Sequence, residues 1–258
     1  MNLRLIAVCG FLLLFGAGAV LAEPATININ IQPKASAPLQ LAYAKRLMQD
    51  IHVAQSSRDR HAAVANATFN LMAVEHGWPN DRVSVREAKA CLAIAYVEGE
   101  MPRNALEAAD AALRDVQDDH RSHYARGWAL ERLGRTAEAA TEYENVVETF
   151  DWRRGGFENV RIGVRVTYFF EQAKRHDLAA KILRHAASEP GLAPTSRVNL
   201  AMQMIEQLQL SGAAVAKKDV ELLRESHRAS LGTTLMPAQR AIITRAEEKL
   251  KKLDGAAH

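Results

Sequence analysis

The most compact run of ligand-type side chains in this 258-residue chain is Asp118-Asp119-His120, with His123 one helical turn further on. His120 and His123 stand three residues apart, so in a helix they share a face and could ligate a metal ion together. The stronger expectation is that Asp118 or Asp119 caps the start of that helix, its carboxylate accepting backbone N–H groups. Cys91 lies among Ala88, Leu92 and Ala95 in an apolar helical stretch. It reads as a buried structural thiol, because a nucleophilic cysteine needs surroundings that lower its pKa. The remaining histidines are scattered. No G-x-S-x-G, H-E-x-x-H, Walker A or G-x-G-x-x-G motif occurs, and no acid/base pair stands out. The residues therefore point away from an enzyme, and to no metal and no cofactor.

Composition bounds the alternatives. With 33 Lys+Arg against 30 Asp+Glu the formal net charge is +3, too near balance for a general nucleic-acid binder. Hydrophobic residues at 48% and charged residues at 24% belong to a chain that folds. Two cysteines cannot make a disulfide scaffold or a four-ligand zinc site.

Residues 1–22 hold one charge, Arg4, and an apolar run from Leu5 that closes on Val20-Leu21-Ala22. This is the pattern of a secretory signal peptide cleaved after Ala22. An uncleaved membrane anchor is the rival reading. Cleavage would leave a mature chain of net +2 with Cys91 as its one cysteine, so no internal disulfide could form. Contact with a membrane is expected only through this segment, and the expected location is outside the cytoplasm, in a periplasm.

The chain after it divides in two. In 23–38, Ile27, Ile29 and Ile31 alternate with Asn28 and Asn30 before Pro33 and Pro38. This is an extended leader, or a strand that adds to a partner's sheet edge. From Leu39 the apolar period becomes 3.6 residues. Helices are expected over about 39–54, 59–76, 84–98, 103–117, 120–133, 136–149, 160–174, 177–188, 195–210, 215–230 and 237–253. The last has an apolar stripe of Ile242, Ile243, Ala246, Leu250 and Leu253, with Glu247/Lys251 and Glu248/Lys252 pairs on the other face. That pattern suits a capping helix with a polar outer surface.

The helices repeat. Ala93 and Gly127, Tyr96 and Leu130, Ala105 and Ala139, and Ala109 and Tyr143 are each 34 residues apart. Small residues at Ala93, Gly127, Ala105 and Ala139 permit close helix approach. Tyr96, Leu130, Leu113 and Val147 fill the space between hairpins. A third unit carries Thr167, Phe170, Ala179, Leu183 and Ala186, displaced by about six inserted residues. The period and the run Gly127–Tyr143 strongly resemble the tetratricopeptide repeat. The match is clearest over 86–119, 120–153 and 160–191. Lys89, His123 and Gly163 stand where a bulky residue is usual, and Gln117 and Asp151 where a proline is. The resemblance implies an all-α solenoid of antiparallel helical hairpins over 39–258.

It also implies a binding groove lined by the first helix of each hairpin. In unit two this face would carry Arg121, Tyr124, Trp128 and Glu131; in unit three Arg161, Val164, Tyr168 and Glu171. Arginine can pair with carboxylates and the rings can cover apolar side chains. The competing reading packs Trp128 and Tyr168 against the neighbouring hairpin. The insertion Trp152-Arg153-Arg154-Gly155-Gly156-Phe157 is either a small recognition patch or a spacer. The functional expectation is a non-catalytic scaffold or adaptor that binds an envelope protein or an extended peptide segment. The alternative is an accessory factor in polysaccharide export whose aromatic residues stack on sugar rings.

Overall fold

The computed structural model describes residues 33–151, 158–189, 191–232 and 235–255. The expected signal peptide, the Ile27–Ile31 alternation and the Trp152-Arg153-Arg154 patch lie outside them. Among the described residues there are eleven helices and no strand. They are α1 (Ala37–Val53), α2 (Ser57–Gly77), α3 (Arg82–Glu98), α4 (Pro102–Asp115), α5 (His120–Arg132), α6 (Thr136–Thr149), α7 (Glu158–Gln172), α8 (His176–Ala187), α9 (Pro194–Leu210), α10 (Lys217–Ser230) and α11 (Pro237–Gly255).

Local chemistry explains where they start. The side chains of Ser56, Asp81 and Asp119 accept backbone N–H groups of the first turns of α2, α3 and α5. Proline, whose missing N–H costs nothing in a first turn, opens α1, α4 and α9.

The hairpin turns share one geometry. Glu100, Gly134, Lys174 and Gly212 all adopt positive φ, at 58°, 79°, 55° and 73°. The amide that follows each reaches back to the carbonyl five residues earlier: Met101 to Tyr96 (2.9 Å), Arg135 to Leu130 (2.8 Å), Arg175 to Phe170 (2.8 Å) and Ala213 to Leu208 (3.0 Å). This is the left-handed helix end that satisfies otherwise orphaned carbonyls. The first three turns recur at the spacing read from the apolar residues, including the insertion between units two and three.

Consecutive helices pack closely on one another except across the insertion between α6 and α7. The odd-numbered helices α1, α3, α5 and α7 also pack side by side, so they make one layer of the molecule. Close approach within a hairpin relies on small residues. Ala93, Ala105 and Ala139 are fully buried. A Cβ on Gly127 would lie 2.9 Å from the Tyr143 ring, and one on Gly163 would lie 2.8 Å from the Ala186 Cβ. The apolar core has two adjoining bodies that meet along α8: Ala179 and Ile182 pack into the first, Ala180, Leu183 and Ala186 into the second. At the end of the chain α11 packs on α9 and α10, burying Ile243, Ala246 and Leu250. Its outer face carries the Glu247–Lys251 ion pair.

Candidate functional site: an arginine-rich cleft on the odd-numbered helices

The Asp118–His123 cluster resolves into capping and packing. Asp119 caps α5, accepting from the backbone N–H of Arg121 at 2.9 Å. His120 is fully buried, 2.9 Å from Asn159 Oδ1 through Nε2, with its ring 4.7 Å from that of Phe150 and tilted 46° to it. Burial holds its pKa below the ordinary range, against the opposing pull of Asn159 and Asp119. His123 turns elsewhere, with Nδ1 2.8 Å from Glu142 and Nε2 donating to the Gln117 carbonyl at 2.8 Å. The two imidazoles thus serve separate contacts. Among the described residues no group of three His, Cys, Asp or Glu side chains is arranged to hold a metal ion.

Cys91 is buried beside Glu87, and desolvation pushes its thiol up to about 12. A thiol so placed stays protonated and is a poor nucleophile.

Arg121 corrects the groove expected from the sequence. Its side chain is buried, not presented to a partner. The guanidinium donates Nη1 and Nη2 to the two Glu87 oxygens at 2.7 and 2.8 Å, and Nε and Nη2 to Asp119 at 3.2 and 2.8 Å. Lys45 of α1 also pairs with Glu87, at the oxygen that Arg121 Nη1 meets. Burial disfavours the Glu87 carboxylate, but the Arg121 hydrogen bonds and charge, with Lys45, outweigh it and hold its pKa at about 2. This network ties α1, α3 and α5 together under a groove of about 650 Å³ at the N-terminal ends of α3 and α5, flanked by Leu41, Val83 and Val116. Held on both sides by carboxylates of its own chain, the Arg121 guanidinium is spent inside the fold.

A second cleft, of about 320 Å³, opens at the other end of the same helices. Tyr124 and Trp128 of α5 line it, together with Arg60, Arg132, Arg161 and Arg165 from α2, α5 and α7. Both rings are mostly buried, Tyr124 at 7% and Trp128 at 5% exposure. Trp128 is therefore part of the packing as well as of the wall, and the Arg132 guanidinium lies 5.6 Å from its ring centre. A ring so covered offers no open face to a stacked sugar.

Carboxylates meet three of the arginines. Arg161 donates to Glu98 at 2.9 Å, Arg60 to Glu100 at 3.3 Å, and Arg165 to Glu131 at 3.0 Å. Glu131 also accepts the Tyr143 hydroxyl at 2.8 Å. Burial raises the Glu98 pKa, with Arg161 pulling the other way. Arg132 meets no carboxylate among the described residues.

The exposed face of α7 continues the cleft. Val164 and Tyr168 are about half exposed, and the Arg165 guanidinium sits 5.7 Å from the Tyr168 ring. Glu171, one turn on, accepts a hydrogen bond from Gln207 of α9 at 2.6 Å and so joins two helices.

The structure thus brings Tyr124, Trp128, Glu131, Arg161 and Tyr168 to one face and removes Arg121 from it. It adds Arg165 and, missed by sequence reasoning, Arg60, Arg132, Glu98 and Glu100. Arg165 had a signal, since it stands four residues after Arg161 on the same helical face. Arg60 and Glu100 had none, because a second-helix residue and a turn residue reach the cleft only through packing.

No family model matches this chain, and no curated protein matches it by sequence. Among solved structures it is similar to the crystal structure of the MamA protein, at 12% identity and a TM-score of 0.41. That alignment covers 78% of this chain and 100% of the other. A likeness this loose carries no inference about the present chain.

Proposed function

We propose that this chain is a non-catalytic adaptor, a tetratricopeptide-like solenoid of helical hairpins that holds a partner protein in the cleft between α1, α3, α5 and α7. The cleft itself supports this reading: four guanidinium groups and two aromatic side chains from three helices, α2, α5 and α7, converge on an opening lined by no catalytic constellation. Arginine and aromatic residues at the centre of a preformed concavity are the residues that dominate protein recognition. Because the walls are helices locked by packing, a partner would meet a preorganised surface. The signal-like 1–22 segment supports export, and the proposed setting is the periplasm, with the partner an envelope protein.

The test is affinity capture from envelope extracts with the full chain, comparing wild type with Arg132→Glu and Tyr168→Ala. The expected result is one or more partners lost with both variants while thermal stability is kept. Partners unchanged by either substitution would exclude the cleft, and capture of a glycan in place of a protein would overturn the adaptor reading. Osmotic-shock fractionation with an antibody to the chain tests location; recovery in the cytoplasm would overturn export.

A further inference from the structure

In an array of helical hairpins each hairpin normally touches only its neighbours. The Arg161–Glu98 ion pair breaks that rule. It joins α7 to α3 over a sequence separation of 63 residues and passes the intervening α5, whose Tyr124 and Trp128 lie in the same cleft. The α3–α4 turn supplies a second carboxylate to the cleft, Glu100, which holds Arg60 of the adjoining hairpin at 3.3 Å. Glu100 does so from a left-handed backbone (φ 58°), where the next hairpin has Gly134.

The cationic side of the cleft is incompletely matched. Arg132 meets no carboxylate among the described residues, and the Arg165 Nε is buried without a hydrogen-bond acceptor. A guanidinium is a planar fork that can pair with a carboxylate through two parallel bonds. The buried Arg121–Glu87 pair is of that kind, at 2.7 and 2.8 Å. Arg60 and Glu100 meet more loosely, through Nη1 at 3.3 Å, with both side chains exposed.

We propose that the cleft binds an acidic, extended segment of the partner through its Asp and Glu side chains, and that Glu98 and Glu100 are internal competitors which that segment displaces. This rests on the adaptor reading above and names the chemistry of the partner. Displacing Glu98 from Arg161 also releases a side-chain tie between α3 and α7. Occupancy is thereby coupled to the spacing of the hairpins on either side of α5. The dependence on salt follows, since both the internal pairs and the incoming ones are partly solvated.

The experiment uses the full chain and a fluorescein-labelled hexaglutamate peptide, followed by anisotropy at low salt. Hexaglutamine and inorganic phosphate are the controls. The expected result is saturable hexaglutamate binding that weakens with salt, no hexaglutamine binding, and no displacement by millimolar phosphate. Glu98→Gln removes the competing carboxylate from Arg161 while keeping the arginine, and should tighten binding about 10-fold; Arg132→Gln should weaken it about 10-fold. Thermal melts of both variants check that the fold survives. An absence of hexaglutamate binding overturns the proposal, as does binding left unchanged or weakened by Glu98→Gln. Displacement by phosphate would make the site one for free anions and would overturn the peptide assignment. Capture of a partner lost with Arg132→Glu, through a segment without acidic residues, would uphold the adaptor reading and sink this one.

Discussion

Glu87 and Arg121 stand 34 residues apart, one repeat length, and meet side by side through two hydrogen bonds of 2.7 and 2.8 Å. Glu131 and Arg165 repeat the relationship at the same separation, at 3.0 Å. A carboxylate of one first helix and an arginine of the next are therefore recurring ties between hairpins. The arginine of the first pair is buried, whereas both members of the second are partly exposed, and that difference sets what each does.

Removing the buried member should be costly. Arg121→Met leaves the Asp119 carboxylate without its guanidinium and Glu87 with Lys45 alone. Loss of one partner of a buried pair costs about 3–5 kcal/mol. Urea unfolding of wild type, Arg121→Met, Glu87→Gln and the double variant measures this, with the double variant less damaged than the two singles added together. A loss under about 1 kcal/mol for Arg121→Met would show that the network is incidental to stability.

The same pair makes an acid-sensitive contribution. The Glu87 pKa falls from an ordinary 4.5 to about 2 in the folded chain. A depressed carboxylate stabilises the fold above its unfolded pKa, and that stability is lost as pH falls through the folded pKa. The window here is therefore pH 4.5 down to about 2. Between pH 5 and pH 2, Glu87→Gln should lose less stability than wild type, by on the order of 3 kcal/mol. Parallel curves for the two proteins in urea titrations across that range would refute the assignment.

Two turn substitutions should move stability in opposite directions. Lys174 is exposed with φ 55°, and Gly134 occupies the equivalent turn at φ 79°. Left-handed backbone costs an L-residue about 1–2 kcal/mol, which glycine avoids at a smaller entropic cost. Lys174→Gly should raise the melting temperature slightly, and Gly134→Ala should lower it. Calorimetry of both decides; a fall with Lys174→Gly would mean that its side chain does more than occupy the turn.

Cys91 should be inert in the folded chain. Its thiol is buried and pushed up to about 12 by desolvation. Iodoacetamide at pH 8 should label it only as fast as the chain opens, with the rate rising through the urea transition. Rapid labelling in buffer alone would place the thiol in reach of solvent.

The eleven helices are legible in the order of the amino acids, because amphipathic periodicity is a local property and each apolar stripe must find a core. Bounds such as 136–149 for α6 and 195–210 for α9 agree with the structure to within a residue. The insertion before α7 is legible from the 40-residue step between Ala139 and Ala179. The turns are legible only where glycine marks them: Gly134 and Gly212 announce a left-handed residue, while Glu100 and Lys174 adopt the same backbone without any sign of it.

Local periodicity already carries the helices of the described residues, their 34-residue register and the small residues where they touch. Local sequence also carries the cap of α5 as Asp118 or Asp119, a role that Asp119 takes, since cap chemistry needs only neighbours in the chain. Which arginine faces solvent is settled by the packing of the helices. Arg121 and Arg161 hold matching places in successive units. Yet Arg121 is buried because Glu87 and Asp119 converge on it, whereas Arg161 stands at the cleft with Glu98. Asp119 lies two residues from Arg121 and is visible locally, but Glu87 arrives from 34 residues away, and only the packing of α3 on α5 brings that second counter-charge to the buried guanidinium.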